Sequence, residues 1–355
     1  MKICSVFCKV VDIKLRDENY KWFIQGRQDI NFSMSVNPKS LQCWIVTEGM
    51  AGTENQCLGV ADALGITPVV KRISLTQPWK TLSPWLGFEC ARTFAPRLEG
   101  HEAWPDLLLA AGRKSIAASR YIKRQSGGKT FTVQLQDPRT SPSQFDLVAV
   151  PAHDPLRGGN VVVTKGAPNR ITMERLAKAR NDFAPLFAMM PSPRIAVMLG
   201  GNSKTHRMTE TAMEELGRQL SKLDGSLMIT ASRRTTEDQK LAFAKGLEDR
   251  PRWFWDGSGN NPYFGMLAWA DYLMVTADSV SMLSDAATTG KPTYIIPMEG
   301  GSPRFDTFHE DLLKNNAARP FEGRLEHWSY APYTDSADIA AEILRRLALR
   351  HGENG

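Results

Sequence analysis

From Leu41 onward the chain alternates short, unbroken apolar runs with longer stretches in which apolar residues recur at helical spacing. Unbroken runs read as strands buried on both faces, and the helical spacing as their covering layers, so the alternation predicts parallel sheet. The predicted strands are "LQCWIVTEG", "TPVVKRISL", "DLLLAAG", "TFTVQLQDP", "FDLVAVPAHD" and "NVVVTKG". Helices are expected in "TENQCLGVADALG", which stops at Gly65, in "KSIAASRYIKRQSGG" and over residues 169–187. Two prolines in "MMPSPR" break the pattern, and "RIAVMLGGNS" restarts it.

The second stretch repeats the grammar with a helix over 209–223, strand "GSLMITAS", a helix over 236–247, strand "RWFWDG" and a helix-like 261–270. Then "YLMVTADSVSMLSDAATTGKPTYIIP" reads as strand, turn, short helix and strand, with Gly290 and Pro292 stopping the helix. The expected fold class is α/β with two Rossmann-like domains. Their bounds are residues 41–190 and 191–334, followed by an amphipathic helix and tail at 335–355. Ile339, Ile343, Leu344 and Leu347 share one side of that helix, which is expected to pack on a domain or lie on a membrane surface. Residues 1–40 fall outside the rhythm and read as a disordered or added extension, with Met34 as an alternative start.

Composition narrows the classes. Charged residues make up 23% and hydrophobic ones 42%, and no run approaches the roughly 18 apolar residues of a membrane span. Five cysteines without paired CxxC units suggest reduced thiols in a cytosolic protein, with neither a disulfide framework nor a zinc site. Lys and Arg against Asp and Glu number 7 and 4 over residues 1–40, 18 and 12 over 41–190, and 19 and 22 over 191–355. A basic first half suits an anionic surface or a phosphorylated acceptor, or is simply solvated charge. The excess is too modest for nucleic acid.

Candidate chemistry collects at predicted strand ends, where open parallel sheets bind ligands. In the first half these are Asn55 and Gln56 beside Gly49, Gly52 and Glu54; Arg113 and Lys114; Gln136 to Arg139; and Pro151 to Asp154. His153 and Asp137 are candidate general bases, or structural hydrogen-bonders. In the second half the Gly200-Gly201-Asn202-Ser203 turn stands opposite Thr276, Asp278, Ser279 and Ser281 in the same sheet, with His206 nearby. Small polar residues there suit phosphate oxygens. Neither GxGxxG nor GxxxxGK[ST] occurs, and no DxD pair is present to hold a divalent metal. Residues 78–98 interleave Trp79, Trp85, Phe88 and Phe94 with Lys80, Arg92 and Arg97, a mixture expected of a lipid-facing segment or of packed core helices with snorkelling arginines.

The glycine-rich turn followed by the late "ADYLMVTADSVSMLSDAATTGKPTYIIP" resembles the nucleotide-sugar domain of GT-B glycosyltransferases. The resemblance implies that the late helix start meets a diphosphate, that Asp285 binds the ribose, and that the loop bearing Asn55 and Gln56 faces the cleft. Across "WIVTEGMAGTENQCLGVADALG", "LLLAAGRKSIAASRYIKRQSGGKTFTVQLQDPR", "FDLVAVPAHD" and "GGNS" the chain is similar, over about residues 41–345, to the plant "elongated mitochondria" fission-factor family and its bacterial homologues.

Three functions are compatible. The first is metal-independent sugar transfer from a nucleotide-diphosphate sugar to an envelope or lipid-linked acceptor at the cytoplasmic membrane face. In it, helix-end amides and Arg or Lys stabilise the diphosphate while His153 or Asp137 accepts a proton. The others are a non-catalytic adaptor that recruits a membrane-remodelling protein partner, and nucleotide-sugar epimerisation. No cofactor is expected beyond the nucleotide sugar itself as donor.

Overall fold

The computed structural model describes residues 37–100 and 103–352. The expected extension lies almost wholly outside the described residues; only a short turn at Pro38–Ser40 belongs to it.

Every apolar run named above becomes a strand; the central ones are buried on both faces, while Val69–Arg72, Val161–Thr164 and Arg252–Phe254 lie at sheet edges and are partly exposed. The first sheet contains β1 (Cys43–Thr47), β2 (Val69–Arg72), β3 (Leu107–Ala111), β4 (Phe131–Leu135), β5 (Leu147–Pro151) and β6 (Val161–Thr164). Its order is β2-β1-β3-β4-β5-β6, and all pairs are parallel. α1 (Ala51–Leu64) and α2 (Ser115–Gln125) cover it.

The second sheet is built from β7 (Arg194–Leu199), β8 (Ser226–Ala231), β9 (Arg252–Phe254), β10 (Tyr272–Thr276), β11 (Thr293–Ile296) and the short β12 (Arg319–Pro320). It is also parallel, ordered β9-β8-β7-β10-β11-β12. Each sheet therefore has a reversal of strand order, between β1 and β3 in the first and between β7 and β10 in the second. Crevices open at the carboxyl edges of such points.

Around the second sheet lie α3 (Met173–Asp182), α4 (Glu210–Ser221), α5 (Glu237–Leu247), α6 (Tyr263–Trp269), α7 (Val280–Thr289) and α8 (Pro303–Lys314). The helix expected over 169–187 begins only at Met173 because Asn169 is used otherwise. Its Nδ2 donates to Thr288 Oγ1 at 2.8 Å, and its own amide donates to Ser336 Oγ at 2.9 Å. A methyl group on Gly59 would strike the Asn169 carbonyl, so α1 presses directly on this crossing. Beyond it, Ile171, Leu176, Ala179 and Phe187 enter the core of the second sheet. The chain thus passes between sheets at residues 165–172, ahead of the Pro191–Pro193 break.

The last helix, α9 (Asp335–Gly352), returns to lie along α1. Ile339, Ile343 and Leu347 are buried there, so its apolar side is spent on protein packing and not on a membrane. The Asp335 carboxylate accepts from the amides of Lys165 (2.8 Å) and Gly166 (2.9 Å), clasping the crossing.

Residues 78–98 are not packed helices. Only one α-helical turn, Trp79–Leu82, and one 3-10 turn, Ala91–Thr93, form, because Pro78, Pro84, Gly87 and Pro96 interrupt the backbone pattern. Phe94 is buried and Trp79 partly so, while Trp85 and Phe88 stand exposed.

Candidate functional site

The carboxyl edges of both sheets hold nearly all the residues singled out above. At the reversal in the first sheet, Lys114 Nζ meets Glu48 Oε1 at 2.7 Å, joining the loops after β1 and β3. Glu54 is taken by Arg72, whose two nitrogens reach it at 2.9 and 2.7 Å. Asn55 is exposed, whereas Gln56 is buried and its Oε1 accepts from Gln136 Nε2 at 3.0 Å. The start of α1 is thereby tied to the loop after β4. In that loop Asp137 Oδ1 accepts from the Arg139 amide at 2.8 Å, and both Gln136 and Arg139 adopt left-handed backbone. Asp154, at the end of β5, accepts from Arg304 Nη2 of α8 at 3.1 Å.

These contacts frame a cleft of about 530 Å³. Arg113, Asp137, Arg139 and His153 line it from the first sheet, and Arg304 and Thr307 from α8. Its size falls within the range of small-molecule sites. Burial holds the His153 imidazole below its ordinary value despite the opposing charge of Asp154, so the ring is neutral at pH 7. Its Nδ1 is buried with no hydrogen-bond partner, and the ring packs edge-on against Phe308 at 5.5 Å. A neutral imidazole can accept a proton, and the same cleft is lined by three guanidinium groups against the two carboxylates of Asp137 and Asp154, an excess that favours an anion.

The reversal in the second sheet is closed. Asp278 Oδ2 accepts from Arg234 Nη2 at 2.5 Å and from the Gly201 amide at 3.3 Å, while Oδ1 accepts from Thr276 Oγ1 at 2.7 Å. Thr276 Oγ1 also accepts from the Gly200 amide at 2.7 Å. A methyl group on Gly200 would collide with the Asp278 carboxylate, and one on Gly201 with the backbone of Arg234, which is why glycines occupy both positions. Only about 10 Å³ remains beside this turn, close to the room one water needs. Asn202 and Ser203 bond locally: Asn202 Oδ1 accepts from the Met208 amide, and Ser203 Oγ from the amides of Thr205 and His206. His206 stacks edge-on to Phe305 at 4.5 Å.

At α7, Ser279 caps the helix by accepting from the Met282 amide at 3.3 Å. Ser281 is exposed, and an added methyl group on Gly52 would lie 3.8 Å from its hydroxyl, so the starts of α1 and α7 face each other. Asp285 Oδ2 accepts from Tyr263 OH at 2.7 Å, and burial pushes its carboxyl up to about 7. Lys291 follows the Gly290 cap of α7. Its ammonium, buried and pushed down to about 8 by desolvation, donates to the carbonyls of Leu267, Ala268 and Ala270 at 2.7, 2.9 and 2.7 Å, the end of α6.

Residues 51–347 match the family described as Mitochondrial fission ELM1. The chain belongs to this family. It is similar to the Mitochondrial fission protein ELM1 of Arabidopsis thaliana, with 29% identity covering 86% of this chain and 91% of the relative. Among solved structures it is similar to the UDP-GlcNAc 2-epimerase of Methanocaldococcus jannaschii, at 11% identity, covering 87% of this chain and 100% of that one, with a TM-score of 0.54. A second structure of that epimerase, in complex with UDP-GlcNAc and UDP, covers 86% and 99% at 9% identity and a TM-score of 0.50. This family member thus has a GT-B-like fold, two Rossmann-like halves facing across a cleft.

Two contributors escaped sequence reasoning in this ELM1-family chain. The helix α8, which brings Arg304 to the cleft, follows Gly300-Gly301-Ser302 and was hidden behind that loop-like run. Its signals were Pro303 at the first helical position and the spacing of Phe305, Phe308 and Leu312. Arg234 sits after "SLMITAS", another strand end, where a basic pair was available to read.

Proposed function

We propose that the cleft binds a nucleoside-diphosphate sugar and that the chain is glycosyltransferase-like. The observation that carries this reading is the meeting of Arg113, Arg139 and Arg304 with neutral His153 around one 530 Å³ cleft between the two halves. The arginines hold the diphosphate, and Arg or Lys is the usual means of neutralising a departing phosphate oxygen. An acceptor hydroxyl gives its proton to His153 as its oxygen bonds the sugar carbon, and the bond from that carbon to the diphosphate breaks. Asp137 is the alternative base. Asn55 and Ser281, exposed at the facing helix starts, contact the sugar and phosphates from the side. Gly200 to Ser203, Thr276 and Asp278 shape the wall, since a phosphate reaches that turn only by displacing Asp278. Lys114 orders the loop beside Arg113, and Gln56 the loop beside Asp137. Asp285 holds the ribose once Tyr263 gives way. The bound UDP and UDP-GlcNAc named for the structural relative support a uridine ligand first.

The test is a thermal-shift panel of nucleoside diphosphates and their sugars, followed by product analysis with the nucleotide that binds. A bound ligand stabilises by mass action. A shift lost in Arg304→Ala supports the reading, and no shift with any base removes it.

A second reading is favoured by one observation. Asp278 fills the turn where a donor phosphate was expected, as in a scaffold that has given up that contact. Such a chain would act as an adaptor, in keeping with the fission role that the Arabidopsis relative's name states. A partner interaction that survives Arg304→Ala and His153→Ala distinguishes it.

A further inference from the structure

Between Thr76 and Thr93 the chain makes an excursion with three large apolar side chains facing solvent. Leu82 is 47% exposed, Trp85 66% and Phe88 89%. The excursion is held from beneath. Arg120 donates to the carbonyls of Pro84 (2.7 Å) and Leu86 (2.9 Å) and to the Glu89 carboxylate, and Arg124 donates to the Glu89 carbonyl. Glu89 itself is buried. Phe88 sits at φ +61, a conformation unfavourable for an aromatic residue. Exposed apolar surface and backbone strain therefore coincide on a fastened support, a combination that serves contact with something outside the chain.

The charge around it selects the partner. Across residues 78–98 the cations are Lys80, Arg92 and Arg97, all exposed, and the sole acid is Glu89, buried under Arg120 and Arg124. The Arg113 guanidinium lies 5.9 Å from the Trp85 ring centroid and adds a further positive group. Trp and Phe at the tip with cations around them match the layering of an anionic bilayer, acyl boundary inside and charged headgroups outside. We propose that Leu82, Trp85 and Phe88 insert into the headgroup region of an anionic membrane while Lys80, Arg92 and Arg97 meet its phosphates. The surface stands on these residues and not on what the cleft binds. One consequence rests on the function proposed above: because Arg113 also lines the cleft, a seated excursion brings the cleft to the headgroups, where a lipid-linked acceptor arrives.

The full chain is sedimented with phosphatidylcholine vesicles, with and without phosphatidylglycerol. Binding is expected only to the anionic vesicles and is released by salt. Trp85→Ser combined with Phe88→Ser is expected to weaken it at least about tenfold, since apolar insertion supplies much of the affinity. Phe88→Gly gives a second readout with opposite signs. Glycine accepts φ +61, so the melting temperature rises while vesicle binding falls. Equal indifference of the wild type to both vesicles overturns the proposal, as does undiminished binding by the folded double variant. Nucleotide thermal shifts recorded on the same variants report on the cleft separately.

Discussion

Arg234 Nη2 stands 2.5 Å from Asp278 Oδ2, joining the carboxyl end of β8 to that of β10 across β7. The Asp278 side chain has no exposed surface, and its remaining contacts are the Gly201 amide and the Thr276 hydroxyl. The carboxylate thus does for the glycine turn what a ligand anion would do. Asp278→Ala is expected to cost about 1–3 kcal/mol, because it strands the buried Gly201 amide and Thr276 hydroxyl, whereas the half-exposed Arg234 keeps its bonds to the Gly201 and Asn202 carbonyls. Urea unfolding measures this, and an unchanged midpoint with an unchanged slope contradicts it.

Lys291 donates three bonds from one ammonium to the carbonyls at the end of α6, those of Leu267, Ala268 and Ala270, and shares the Ala268 carbonyl with Arg180 Nη1 at 3.1 Å. Lys291→Met keeps the stem and removes the donors. It is expected to destabilise by about 1–3 kcal/mol through unpaired carbonyls and the lost charge at a helix C-terminus. Hydrogen exchange should speed most in α6, and uniform protection across that helix would remove the explanation.

Asp285 gives a pH dependence of definite sign. Its carboxyl titrates near 7 folded against an ordinary 3.8, so between those values the folded state holds more protons than the unfolded one. Its contribution to stability therefore falls as pH rises through that window, and the loss persists above it. Asp285→Asn, which still accepts from Tyr263, is expected to melt higher than the wild type at pH 8 and no higher at pH 4. Thermal unfolding across that range checks it, and a constant difference between the two proteins would place the titration elsewhere.

The sheets were legible because a strand buried on both faces announces itself as an unbroken apolar run, as in Leu107–Ala111 and Tyr272–Thr276. Ends of strands were legible too, since Gly112, Gly200 and Asp278 follow such runs directly. Partnerships across the sheet were not. Nothing local says that residues 200, 234 and 278 meet, or that Glu89 would lie beneath Arg120. The same limit explains the crossing at Asn169, whose helical neighbours in sequence were overruled by bonds to Thr288 and Ser336. Trp85 and Phe88 share a segment with buried Phe94, and composition alone could not separate the exposed pair from the packed one.

Isothermal titration of UDP into the wild type, Arg139→Ala and Arg304→Ala tests most directly the proposal that the arginine-lined cleft binds a nucleoside diphosphate. Arg139 presents an exposed guanidinium to the cleft from the first sheet, and Arg304 reaches it from α8. Each substitution is expected to weaken binding by about 1.5–3 kcal/mol, the worth of a charge-assisted phosphate contact, with both variants folded. Retained wild-type affinity in both variants, or no binding of UDP or any other nucleoside diphosphate by the wild type, would contradict it.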